Sequence, residues 1–172
     1  MTKRIIERLG ETDQLFLSEN SAELALERGD LRLQLVALSK NKQEQIHFLH
    51  EAIAILEQGR IEFEDISVSL YLDLSLQLAK AYMIYFELSH DTKFALITQQ
   101  ILKPLAHLND GNIFLFLAYS CACKQENALT RHWLVKYEKT VTFDPILLQQ
   151  YSAFKPFHAE HWFKTLIQHK LN

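Results

Sequence analysis

The sequence predicts an all-α protein built from antiparallel helix pairs, about four or five in number. The 172-residue chain contains only four glycines and three prolines, too few for the many tight turns of an all-β protein. Hydrophobic residues make up 48% and charged residues 23%, as is usual for folded globular domains. Several segments also place apolar residues at spacings of three and four, which is the period of an amphipathic helix.

The individual helices follow from this spacing. Residues 42–58 place apolar side chains along one broad face, and residues 127–139 do the same on a shorter segment. Residues 91–108 form another helix, which Pro104 should bend or end because proline removes a backbone donor and crowds the preceding turn. We therefore predict three helices in these segments.

Glycine and short polar runs predict the turns between helices. Gly29-Asp30, Gly59-Arg60 and Asp110-Gly111 each follow a helical segment and precede another, as expected where a helix ends. Residues 90–92 and 124–127 are two further short connections. No segment is long or polar enough to link separate domains, so we predict one helical domain over residues 1–172.

Residues 66–78 are the ambiguous segment, because apolar and polar residues alternate there with the period of a β-strand. This run is much longer than the usual strand of about 5–6 residues. Wound as a helix, it carries two apolar stripes on opposite sides, as suits a helix packed between two others. We predict a helix; the alternative is an α+β fold with a small sheet from residues 31–35 and 61–76.

Two stretches in the second half share a pattern. Leu78–Tyr82 is followed by Ala95-Leu96, and Leu117–Tyr119 is followed by Ala128-Leu129, with Ala95 and Ala128 33 positions apart. The pattern resembles the tetratricopeptide repeat (TPR), a helix–turn–helix unit of about 34 residues with small residues at the helix crossing. Over residues 66–172 the resemblance implies a short right-handed α-solenoid.

The same resemblance implies a division of the chain into three parts. Residues 1–65 would form irregular N-terminal helices, residues 66–140 two TPR-like helix pairs, and residues 141–172 a C-terminal cap. The tail is similar to the segments that close such arrays and would cover the apolar end of the last repeat. We expect three of its residues to pack on the helix that contains Trp133: Trp162, Phe163 and Leu166.

Charge and termini narrow the class of protein. The net charge of −3 gives no electrostatic reason to expect nucleic acid or a membrane as a partner. Glu7 and Arg8 interrupt the first apolar run, unlike a secretory signal. We expect Cys121 and Cys123 to be reduced, buried thiols of a cytoplasmic protein.

No motif for catalysis or for a cofactor is evident, so we expect neither an enzyme nor a bound cofactor. No serine lies in a glycine-flanked turn, and no glycine-rich loop could hold phosphate. The pairs His47/His50 and His158/His161 have the spacing of half a zinc site, but no further ligand is evident, so no metal ligand is predicted. A small helical-bundle enzyme or metal-binding sensor that uses these pairs is the alternative function.

The expected function is therefore non-enzymatic binding of a protein or peptide, as in adaptors, chaperones and scaffolds. In a curved array, the first helix of each pair lines the concave groove. Asp73, Gln77 and Lys80 form a row on the longest helix, and Asn112 and Tyr119 lie seven apart on the corresponding helix of the next pair. We predict that these five exposed side chains contact the bound segment.

Overall fold

The computed structural model describes residues 1–169, and over these residues it is all-α, with no β-strand. The fold-class prediction is confirmed, and the alternative sheet is wrong, because residues 31–35 lie inside a helix and residues 68–76 begin another. The chain divides into two compact units, residues 1–94 and the part that starts at Ala95. A single repeat domain over residues 1–172 stays a prediction.

The first unit consists of four helices joined by short connections. They are α1 (Thr2–Ser18), α2 (Ala22–Leu38), α3 (Lys42–Ile61) and α4 (Val68–Ser89). Consecutive helices pack against each other and run antiparallel. Ser21, Asn41 and Ser67 precede α2, α3 and α4, and each side-chain oxygen accepts a hydrogen bond from a backbone N–H in the first turn.

Gly29 and Gly59 lie inside helices, so the turns predicted at these positions are wrong. Both positions are places where helices approach closely. A Cβ on Gly29 would lie 2.6 Å from the Leu56 side chain, and a Cβ on Gly59 would lie 2.7 Å from Ala25 Cβ. The missing side chain therefore permits close helix packing rather than a turn.

Gly59 marks a junction of three helices, which we call the Gly59 junction. On one side it contacts Ala25 of α2, and on another it faces Leu74 of α4, whose Cδ2 is 3.4 Å from the Cβ position. Leu74 is fully buried, and Ala25 is nearly so. The junction consequently fixes the spacing of α2, α3 and α4 at one point along their length.

The ambiguous alternating segment forms the start of α4, the longest helix. The helix prediction is confirmed, but the two apolar stripes are not buried equally. Leu74 and Leu78 are fully buried, whereas Leu72 and Leu76 are half-buried and Val68 is exposed. Helix α4 therefore buries one side more completely than the other.

A buried arginine connects α1, α2 and α3. The Arg32 side chain on α2 is 5% exposed; its Nε donates to Glu51 Oε2 at 2.7 Å and its Nη2 to Asp13 Oδ2 at 3.0 Å. Arg28 Nε also donates to Asp13 Oδ1, at 2.9 Å. Partial burial opposes ionisation of Asp13, but the hydrogen bonds from Arg28 and Arg32 outweigh it and lower the pKa of this carboxyl.

The second unit is built around a pair formed by α6 and α7, which pack against each other. Its helices are α5 (Thr92–Leu102, starting in the last residues of the first unit), α6 (Gly111–Cys123), α7 (Asn127–Glu138), α8 (Pro145–Gln150) and α9 (His161–Gln168). Helix α5 ends at Leu102, and Pro104 is the second residue of the 3₁₀ segment Lys103–Leu108 that follows, which confirms the predicted break. The turn at Asp110-Gly111 is also confirmed, because Asp110 caps α6.

Helix α9 and the residue that follows it each contact α7. The Arg131 guanidinium lies 5.5 Å from the centre of the Trp162 ring, and His169 Nδ1 lies 3.1 Å from Glu138 Oε1. Phe163 and Leu166 are buried. The expected contact with the helix that contains Trp133 is thus present for Trp162. The packing of Phe163 and Leu166 on that helix, and the role of the tail as the cap of a repeat array, stay predictions.

The ion pairs of Asp13 should make stability depend on pH. Because the folded-state pKa of Asp13 is lowered, its contribution is present above the unfolded pKa and is lost as pH falls through the folded pKa, below the ordinary value of 3.8. Asp13→Asn should reduce the free energy of unfolding by about 1 kcal/mol at neutral pH, a difference that shrinks in acid. Urea denaturation across pH measures it.

The exposed Asp73→Asn substitution on α4 is the control and should change the free energy of unfolding by less than about 0.5 kcal/mol. A pH-independent effect of Asp13→Asn would contradict the ion-pair account.

The Gly59 junction predicts opposite effects for the same substitution at two helical glycines. Gly59→Ala should lower the free energy of unfolding by about 1 kcal/mol or more, because its Cβ would overlap Ala25. Gly10→Ala in α1 should raise it by about 0.5–1 kcal/mol, since nothing lies within 4 Å of the added Cβ. Chemical denaturation of both variants measures the effects, and stabilisation by both would contradict the close packing.

Candidate functional site

Three of the predicted partner-binding residues lie on α4 in the first unit. Asp73 and Lys80 are exposed, as expected. Gln77 is half-buried, and its Nε2 donates to Asp30 Oδ1 on α2 at 3.2 Å. Gln77 therefore connects two helices, and Asp73 and Lys80 are the members of this row that remain accessible.

The other two predicted residues lie on α6 in the second unit. Asn112 is exposed, but Tyr119 is only 9% exposed, so the expected exposure of Tyr119 is wrong. Its ring packs edge-on against Tyr151 at 5.3 Å and Phe154 at 6.1 Å. Burial against these two aromatic residues from the tail accounts for the difference.

Three of the four paired histidines have separate contacts of their own. His47 Nε2 lies 3.3 Å from Glu51 Oε1, while His50 Nε2 lies 2.9 Å from Tyr85 Oη. In the second unit, the His158 ring packs beside Phe163. Within residues 1–169, no three histidine, cysteine or acidic side chains come together as a metal site would require.

The two cysteines differ in their surroundings. Cys121 is fully buried and Cys123 is half-buried, so the expected burial is confirmed for Cys121 and is wrong for Cys123. Gln99 Nε2 donates to Cys121 Sγ at 3.3 Å and to Glu126 Oε1 at 3.0 Å. Burial, followed by the negative charge of Glu126, raises the pKa of the Cys121 thiol, so its neutral form is favoured.

A cleft in the first unit is the site that sequence reasoning missed. It lies between the N-terminal ends of α2 and α4, where residues 20–23 face residues 62–67 and Leu70, and its volume is about 610 Å³. We call it the α2–α4 cleft. This volume lies within the range of about 300–1,000 Å³ that ligand pockets occupy.

The Gly59 junction positions this cleft. Each wall begins about one helical turn beyond the junction. Ala22 is one turn from Ala25 on α2, Glu62 is one turn past Gly59 of α3, and Leu70 is one turn from Leu74 on α4. The helices are held together at the junction and separate beyond it. The connection over residues 62–67 spans the gap that results.

Two exposed apolar residues flank the connection. Ile61, the last residue of α3, is 83% exposed, and Val68, the first residue of α4, is 65% exposed. Phe63, Ile66 and Leu70 line the cleft itself and are half-buried. The sequence signal that could have found the cleft is the run of apolar residues and acids from Ile61 to Ile66.

No known protein family, curated protein or solved structure gives a significant match to the chain. The resemblance to the tetratricopeptide repeat therefore stays a prediction. None of the helices within residues 1–169 combines the length and apolarity that crossing a membrane would need.

Proposed function

We propose that the protein is a non-enzymatic module that binds a protein or peptide partner in the cytoplasm, and that the partner docks at the α2–α4 cleft. The observation that carries this proposal is the exposure of Ile61 and Val68 beside a cleft that already contains apolar side chains. Isolated apolar residues on a surface are common, but apolar residues grouped around a concavity are typical of interaction sites.

The physical gain from docking supports the choice of this site. Covering one large aliphatic side chain contributes about 1.5–3 kcal/mol, and Ile61 and Val68 are both available. The connection over residues 62–67 that lines the cleft is held at both ends by α3 and α4, which pack together at the Gly59 junction. The site is therefore largely ordered before a partner binds, so little binding free energy is lost in ordering it.

The row on α4 remains a second surface for the same function. Asp73 and Lys80 are exposed and lie seven positions apart, so they face the same side of the helix. Their charges could pair with a bound segment, but exposed pairs of this kind contribute only about 0–1 kcal/mol each. The apolar surface at the cleft offers the larger contribution to affinity.

The test compares two matched pairs of substitutions. Ile61→Ser with Val68→Ser changes the two exposed apolar residues beside the cleft, whereas Ile146→Ser with Val141→Ser changes an isoleucine and a valine in the second unit that are 57% and 98% exposed. We expect the first pair to weaken partner binding by about tenfold or more and the second to leave it unchanged.

The measurement is quantitative mass spectrometry of proteins captured from the native cells by wild type and by both variants, followed by calorimetry with the purified partner. Circular dichroism establishes that both variants stay folded. Partner binding that survives Ile61→Ser with Val68→Ser in a folded protein would place the docking site elsewhere.

A further inference from the structure

The α2–α4 cleft combines an apolar wall with an acidic rim. Its acidic side chains, all exposed, are Glu23, Glu62, Glu64 and Asp65. No lysine, arginine or histidine is among the described residues that line it. The cleft therefore offers apolar contact and negative charge together.

The negative charge of the acidic rim is larger than the partial positive charge of the helix ends beside it. The N-termini of α2 and α4 each carry about half a positive charge, and the C-terminus of α3 carries about half a negative charge. Four carboxylates exceed that positive charge several-fold. Arg60, the nearest cation along the chain, points its Nη2 to Tyr71 Oη at 2.9 Å. The cleft consequently keeps a net negative charge.

The carboxylates of the rim also have few partners among residues 1–169. Glu62 Oε2 accepts a long hydrogen bond of 3.4 Å from Asn20 Nδ2. Glu23, Glu64 and Asp65 form no ion pair with another residue in the range 1–169. Because no three of the acids converge as metal ligands do, this spread arrangement suits several positive groups along a chain better than one metal ion.

We propose that the α2–α4 cleft binds a basic amphipathic segment of a partner protein, in which lysine or arginine residues are interspersed with apolar residues. The apolar side chains of the segment pack on Ile61, Phe63 and Val68, and its cations pair with Glu64 and Asp65 on the rim. The inference rests on the proposed function and adds the chemistry of the partner.

The charge of the whole first unit agrees with this partner. Residues 1–94 contain 10 basic and 16 acidic side chains, a net charge of −6, whereas the chain as a whole carries −3. An excess of negative charge around the cleft attracts a cationic segment and raises its association rate. Salt at physiological strength screens such exposed charges over about 8 Å, so binding should weaken as salt is added.

The probe is a short fluorescein-labelled peptide of alternating leucine and lysine, with leucine–glutamate and serine–lysine peptides for comparison. Fluorescence anisotropy at about 50 mM and about 200 mM salt measures each affinity. We expect the affinity for the leucine–lysine peptide to be higher by about tenfold or more than that for either comparison peptide. Each comparison peptide lacks either the apolar contact or the charge attraction.

Charge reversal then locates the site. Glu64→Lys with Asp65→Lys should lower the affinity for the leucine–lysine peptide by about tenfold or more and remove most of the salt dependence of its binding. Glu7→Lys with Glu44→Lys makes the same change in net charge on α1 and at the far end of α3, and should leave the affinity within about twofold. Circular dichroism and melting temperature confirm folding of both variants.

Several results would overturn the inference: equal binding of the leucine–glutamate peptide, absence of binding by the leucine–lysine peptide, or equal effects of the two charge reversals. A dimer that Ile61→Ser with Val68→Ser dissociates in light scattering would also overturn it, because a second copy would then occupy the cleft. If native-partner capture still depends on Ile61 and Val68 in any of these cases, the proposed function stands and only the chemistry of the partner is wrong.

Discussion

The contact between Gly59 and Ala25 is the constraint on which the first unit and its cleft depend. Alanine at position 59 would place its Cβ 2.7 Å from Ala25 Cβ, and neither methyl group could rotate away. Leu74 lies against the same point from α4. Three helices are thus fixed at one place, and the cleft opens one helical turn beyond it.

Electrostatics supports this packing two helical turns farther along α2. The buried Arg32 side chain holds Asp13 of α1 and Glu51 of α3, so its charge is paired on two sides. The carboxylates of the α2–α4 cleft differ from these two, because they are exposed and Glu23, Glu64 and Asp65 lack ion-pair partners among residues 1–169. Within one acidic unit, some acids therefore join helices and others remain available to a partner.

Sequence reasoning predicted the helices well because period and composition act locally. Residues 42–58 and 127–139 repeat apolar positions with helical spacing, and α3 and α7 form there with nearly the same bounds. The alternating segment was resolved correctly because its length exceeds that of ordinary strands.

The wrong and missed predictions have one physical cause. Whether a glycine or an exposed side chain serves a turn, helix packing or binding depends on residues that are distant in the sequence. Gly29 and Gly59 were assigned to turns, yet no glycine in residues 1–169 has a positive φ; His90, Asn109 and Gln125 adopt the left-handed conformation instead. The cleft was missed for the same reason, since its walls come from residues about 40 positions apart that meet only after folding.

The Gly59 junction should position the cleft walls, and a comparison of ¹H–¹⁵N correlation spectra of wild type and Gly59→Ala tests this without a partner. We expect amide shifts to change at residues 20–25, around the start of α2, and at residues 66–74, around the start of α4, as well as around position 59. Changes confined to the neighbours of position 59 on α3, with residues 20–23 and 66–70 unaffected, would contradict the claim.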